Sequence, residues 1–179
     1  MQKNWYVLYT KPHCEIKVTG SLSKLKVENF CPQVGRKSQS FMRIKYKKEP
    51  LFPSYVFVKT TESEIAALCK KVDNVLNIVY YGSKPAIISI DEIDAIKEFS
   101  SNHLEISLEK CHIDSYFKGS ILGDNLYQMD GKIWIIKNRV IKVNLPSLGY
   151  TMVAHTEDTG RWSRELLLDK EVLDSTIRG

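Results

Sequence analysis

The stretch LFPSYVFVK, residues 51 to 59, decides how this chain is read. Pro53 fixes its start, and the residues from Ser54 onward are β-branched or aromatic, so they form a strand. Side chains alternate along a strand, which sends Ser54, Val56 and Val58 to one face and Tyr55, Phe57 and Lys59 to the other. The valine face suits a core. The opposite face, with its tyrosine and phenylalanine, needs a second explanation.

Two more runs repeat the pattern. In WYVLYT (5–10), Trp5, Val7 and Tyr9 share one face and Tyr6 and Leu8 the other; in VLNIVYYG (75–82), Val79 and Tyr81 lie opposite Ile78 and Tyr80. A sheet backed by helices on one side needs only one apolar face. A second, aromatic face left in water marks a protein-binding surface. The alternative is that a linker or the C-terminal part of the chain covers it as ordinary core.

Between these strands the periodicity changes. Pro12 at a first turn, followed by Cys14, Val18, Leu22 and Leu25 on one stripe, predicts a helix with Lys17, Lys24 and Lys26 off the stripe. NFCPQV (29–34) reads as a second strand, and the basic run GRKSQSFMRIKYKKE (35–49) as a long hairpin or mobile loop. ESEIAALCKKV (62–72) is a short helix and KPAIIS (84–89) a short apolar segment. IDEIDAIKEF (90–99) is a helix buried through Ile90, Ile93, Ala95, Ile96 and Phe99. The order is β-α-β-β-α-β with a further helix. It predicts an α+β fold, a helix-backed antiparallel sheet over residues 1–99.

Residues 100–116 are polar and aperiodic, as expected of a linker. GKIWIIKNRVIKVNL (131–145) holds two β-rich runs about Lys137 and Asn138, and SLGYTMVAH (147–155) adds another strand. They predict a small all-β unit over 117–156, the size of an SH3-like barrel. The tail, 157–179, reads as a docked helix, a helix formed with a partner, or disorder.

Composition limits the function. The chain has 179 residues, 43% hydrophobic and 26% charged, enough for one medium domain or two small ones with a real core. No apolar run is long enough to span a bilayer and MQKNWYVLYTKP lacks a signal-peptide core, so a cytosolic protein without membrane contact is expected. Cys14, Cys31, Cys69 and Cys111 are scattered, and neither His13-Cys14 nor Cys111-His112 has a second ligand pair at chelating spacing, so neither a metal nor a cofactor is expected. The four histidines, His13, His103, His112 and His155, form no catalytic pattern, and GxSxG, P-loop and HExxH motifs are missing, which argues against an enzyme. Charge is uneven: residues 1–60 carry twelve basic side chains against Glu15, Glu28 and Glu49, a net of +9, while the remainder nets −4. Such asymmetry points to a polyanion beside the first third of the chain.

WYVLYTKP, EPLFPSYVFV and VYYGSKPAIIS before DEIDAIKEF, in that order and spacing, resemble the NusG family of bacterial transcription elongation factors over residues 4–99. LFPSYVFV and GSKPAI are most similar to the specialised RfaH and UpxY-like antiterminators. The C-terminal unit resembles the family's KOW domain: Gly131 stands at the motif's central glycine and RVIKVNLPSLGYTMVA at its closing strands. DNLYQMDG (124–131) departs from the usual lead-in, with Gln128 where a glycine is common.

The resemblance implies a monomer that binds the clamp helices of the RNA polymerase β′ subunit through Tyr9, Tyr55, Phe57 and Tyr81. It implies contact with non-template DNA through Lys11, Lys17 and Lys24, and reach toward the gate loop of the β subunit. Leu126 and Tyr127 in the KOW loop become contacts for a partner such as ribosomal protein NusE or Rho. The implied outcome is a closed clamp, fewer pauses and passage through terminators, on specific operons. In RfaH-like proteins the C-terminal domain can also mask the aromatic face. Where RfaH has a polar His-Thr stretch toward the gate loop, this chain reads IAALCK (65–70), so that contact is either apolar or not made. Two other readings stay open: a ribosome- or RNA-binding KOW module, and a general NusG-like factor acting on most genes.

Overall fold

The computed structural model describes residues 2–40, 43–110, 126–129, 132–137 and 140–155. The first part runs β1 (Asn4–Thr10), α1 (Glu15–Lys24), β2 (Glu28–Phe30), β3 (Gln33–Ser40), β4 (Arg43–Pro50), β5 (Tyr55–Thr60), α2 (Glu62–Lys71) and β6 (Val75–Ile78). It continues through β7 (Tyr80–Tyr81), β8 (Lys84–Pro85), β9 (Ile87–Ile88) and α3 (Ile90–Asn102). The last strands are β10 (Ser107–Lys110), β11 (Leu126–Met129), β12 (Lys132–Lys137), β13 (Val140–Leu145) and β14 (Tyr150–His155).

The stretch at 51–59 becomes β5, beside β1 near the centre of an antiparallel sheet ordered β2-β5-β1-β6, with β9 also paired to β1. Register sets Tyr9 opposite Tyr55, Val7 opposite Phe57 and Trp5 opposite Lys59. The valine face packs as predicted: Tyr6, Leu8, Val56, Val58 and Ile78 close against Val18 and Leu22 of α1 and Ile65 of α2. Each fully buried side chain of this size contributes roughly 1.5 to 3 kcal/mol.

The other face departs from expectation. Trp5, Val7 and Phe57 pack against Ile93, Ala95, Ile96 and Phe99 of α3, so helices lie on both sides of the sheet. The sheet must be apolar on both faces because α3 has a buried stripe of its own to place. Ile90, assigned to that stripe from sequence, is 58% exposed. It stands at the first helical position, ahead of the turn that meets the sheet.

Prolines and turns account for three smaller corrections. NFCPQV is not one strand: it breaks at Cys31 and Pro32, between β2 and β3. Pro12 lies in a turn ahead of α1, which starts at Glu15 after His13 at φ 63°. The run 75–82 breaks at Val79, whose amide still donates to Val7 O at 2.9 Å, and the chain then leaves the sheet as the β7–β8 ribbon. The basic segment 35–49 falls within β3 and β4, which pair over their whole length as a two-stranded sheet of their own.

The C-terminal strands form a second antiparallel sheet ordered β10-β14-β13-β12-β11. Two elements occupy the stretch expected as linker: α3 extends to Asn102, and β10 supplies an edge strand of the second sheet. The sheet is an open path, with no β10–β11 pairing among the described residues. Register puts Val143 opposite Met152 and Leu145 opposite Tyr150. Val143, Leu145, Met152 and Ala154 are buried in the same apolar cluster as Trp5 and Phe57.

His103 closes α3. Its backbone amide donates to Phe99 O at 3.1 Å, its Nδ1 sits 3.1 Å from the same carbonyl, and its ring lies 4.4 Å from that of Phe99. Burial pushes its pKa below the ordinary value, only partly opposed by the bond to Phe99. Below about pH 6.5 the unfolded chain therefore takes up a proton that the folded one refuses, and stability falls until the lower folded pKa is passed. Thermal midpoints from pH 7 to 5 should decline in the wild type and decline less in His103→Gln. Equal slopes in the two proteins would exclude His103 as the cause.

Candidate functional site

The two strands that carry the predicted aromatics are locked together at one end. Glu15, in the first turn of α1 and 3% exposed, accepts a 2.6 Å hydrogen bond from the Ser54 amide. Ser54 holds φ 63°, and its carbonyl accepts from Thr10 N at 2.8 Å. A charged acceptor makes such a bond strong, and it fixes the turn that delivers Tyr55 beside Tyr9. Their rings meet edge-on, with centroids 6.0 Å apart at 73°. Sequence reasoning missed Glu15; the available signal was one carboxylate at a helix start in an otherwise basic segment.

Tyr9 is 41% exposed and Tyr55 half-buried. Tyr9, Phe52, Pro53 and Tyr55 line an open groove closed on its far side by Leu108 and Tyr150 of the second sheet. Tyr150 meets Phe52 edge-on at 6.0 Å. Burial, then the neighbouring Tyr150 and Tyr9 hydroxyls, raise the Tyr55 pKa.

The other predicted contacts are placed differently. Phe57 is 0% exposed, edge-on to Phe52 at 5.6 Å and 6.1 Å from Phe30. It is core here, because α3 covers its part of the face. Tyr81 is 86% exposed, but on the β7–β8 ribbon with Tyr80 rather than on the sheet beside Tyr9. Lys11, Lys17 and Lys24 are all exposed. Leu126 and Tyr127 belong to β11, opposite Ile135 and Trp134, and not to a loop; Gly131 lies outside the described residues. In IAALCK, Ile65 and Leu68 pack inward, leaving Ala66 and Ala67 as the exposed apolar positions.

One further group was missed in sequence, although Ser89 and Glu92 stand at the S-x-x-E spacing of a capping box. Glu92 Oε2 accepts from the Ser89 amide at 3.3 Å and from Ser89 Oγ at 3.0 Å, completing the cap of α3, while its Oε1 accepts from the Ser147 amide at 2.8 Å. One carboxylate thus ties α3 to the turn between β13 and β14. Among the described residues no three His, Cys, Asp or Glu gather as a metal site. The Cys31 thiol is pushed up to about 11 by burial and the Glu15 charge, which makes it a poor nucleophile. No helix among the described residues is long and apolar enough to cross a membrane.

The family model described as transcription termination factor NusG matches residues 3–97, more than half of the chain. The chain belongs to the NusG family. NusG-family membership makes it a transcription elongation or antitermination factor, of a class that acts with RNA polymerase and is not enzymatic. Among solved structures, a Thermotoga maritima NusG studied for its domain interaction is 20% identical, with a TM-score of 0.47 over 87% of this chain and 95% of that one. A chain of an MjSpt4:Spt5 complex aligns at 16% identity and a TM-score of 0.32, over 84% of this chain and 99% of that chain. No curated protein matches the sequence.

Proposed function

We propose that this NusG-family chain binds the β′ clamp helices of RNA polymerase with the Tyr9–Tyr55 end of its first sheet, and suppresses pausing and termination on specific operons in the manner of RfaH or UpxY-like factors. The observation that carries the reading is the edge-on tyrosine pair held partly open beside a groove. Tyrosine gives a large apolar contact with a polar tip, and such residues dominate interface energies. Tyr81 extends the contact from its ribbon, and Phe57 supports the pair from beneath. Lys11, Lys17 and Lys24 supply phosphate attraction toward non-template DNA, without sequence information. The second sheet is a KOW-like unit, with the β11 region offered to NusE or Rho.

Titration of the full chain against core RNA polymerase tests this. The double variant Tyr9→Ala/Tyr55→Ala should bind about thirtyfold more weakly, the equivalent of roughly 2 kcal/mol. Wild-type affinity in the variant, or a wild-type chain that captures ribosomal RNA and not polymerase, overturns the reading.

A further inference from the structure

The β3–β4 ribbon holds six of the twelve basic residues in the first 60 positions, Arg36, Lys37, Arg43, Lys45, Lys47 and Lys48, against a single carboxylate, Glu49. Among the described residues it pairs with no other strand. Its base is clamped: Val34 is buried, the Gly35 amide donates to Leu104 O at 2.9 Å, and the Leu51 amide donates to Pro32 O at 2.8 Å. Beyond the base, Arg36, Tyr46, Lys47 and Lys48 are exposed. Lys47 reaches Glu49 at 3.4 Å with 74% of its side chain in water, too open a pair to neutralise it.

Register sorts the charges. Arg36 pairs with Lys47, and Lys48, the next residue along β4, pairs with Gly35, so three exposed cations cluster toward the base of the ribbon. At strand geometry eight residues reach about 25 Å, and two strands about 4.8 Å apart make a narrow blade.

We propose that this ribbon is a binding element for duplex DNA, laid in the major groove. The occupant follows from charge and width. A polyanion matches the ribbon's six basic residues and three exposed cations, and a two-stranded ribbon enters a groove about 12 Å wide but not the minor groove of about 6 Å. The deep, narrow major groove of A-form RNA excludes it. Single strands are bound chiefly by successive aromatic platforms, whereas the described part of this ribbon exposes only Tyr46. The contact is separate from the tyrosine pair and needs no polymerase.

Fluorescence anisotropy with the full chain provides the test, using a labelled 20-base-pair DNA duplex of arbitrary sequence, the matching single strand and an RNA duplex. Arg36→Gln/Arg43→Gln/Lys45→Gln/Lys47→Gln should lose at least tenfold in duplex affinity at low salt. Its log-affinity against log-salt plot should flatten by about 0.9 for each phosphate contact removed. Lys17→Gln/Lys24→Gln on α1 should lose less. Lys47→Gln alone gives the same direction at smaller size and guards against poor folding of the fourfold variant. Tyr9→Ala/Tyr55→Ala should keep full duplex affinity, which separates failure here from failure of polymerase binding. An unchanged affinity and slope in the ribbon variants overturns the proposal, as does a loss confined to the single strand or to RNA.

Discussion

Phe57→Ala should lower the unfolding free energy by about 3 to 5 kcal/mol, the cost of an aromatic side chain cut from a close-packed core. The ring has no exposure and sits between Phe52 and Phe30, beneath α3. Neighbours fixed in a strand, a turn and a helix can collapse only partly into the space. Phe57→Leu, which keeps most of the volume, should recover much of the loss. Urea denaturation followed by tryptophan fluorescence would measure both. A loss below about 1 kcal/mol for the alanine variant would mean that the ring is not core. Any binding defect in Phe57→Ala must therefore be read against its stability, whereas Tyr9, at the open end of the same face, carries no such confusion.

Glu92→Ala should cost about 2 to 3 kcal/mol, because the side chain is buried and both of its oxygens accept hydrogen bonds. Truncation removes the reciprocal half of the α3 cap and the acceptor that holds the Ser147 amide. Glu92→Gln keeps an oxygen for each donor in turn but not the charge, and should fall between the two. A second readout separates the roles: protease cleavage between residues 140 and 155 should quicken in Glu92→Ala if the tie to the β13–β14 turn is broken. Stability and cleavage rates equal to wild type would show that the carboxylate does neither.

Strands β1 and β5 and most of the stripes of α1 and α3 were legible because each repeats one period along its length. Val18, Leu22 and Leu25 mark the helix face at the spacing that the structure packs, while Cys14 stands just ahead of α1. Which elements share a face was less legible, since an alternating strand declares two faces but not what covers each. Phe57 was therefore read as a surface side chain, and α3 was grouped with the helices on one side of the sheet, whereas it covers the other. Tyr9 and Tyr55 keep part of their surface in water because they lie where that cover ends. Glu15 and Glu92 escaped notice for another reason. Their roles rest on hydrogen bonds to backbone amides 39 and 55 residues away, and an amide has no letter in a sequence.

Tyr150 standing across the groove from Tyr55 has a consequence for any ligand of that groove. A rival tethered to the same chain is present at an effective concentration in the millimolar range for a short link, and diluting the protein does not remove it. If the second sheet leaves the groove uncovered in one molecule in a hundred, the ligand's apparent dissociation constant rises about a hundredfold, with no change in its intrinsic fit. Occupancy is then governed by whatever else draws the second sheet away. The number of free copies of the protein becomes a poor guide to how many are ready to bind.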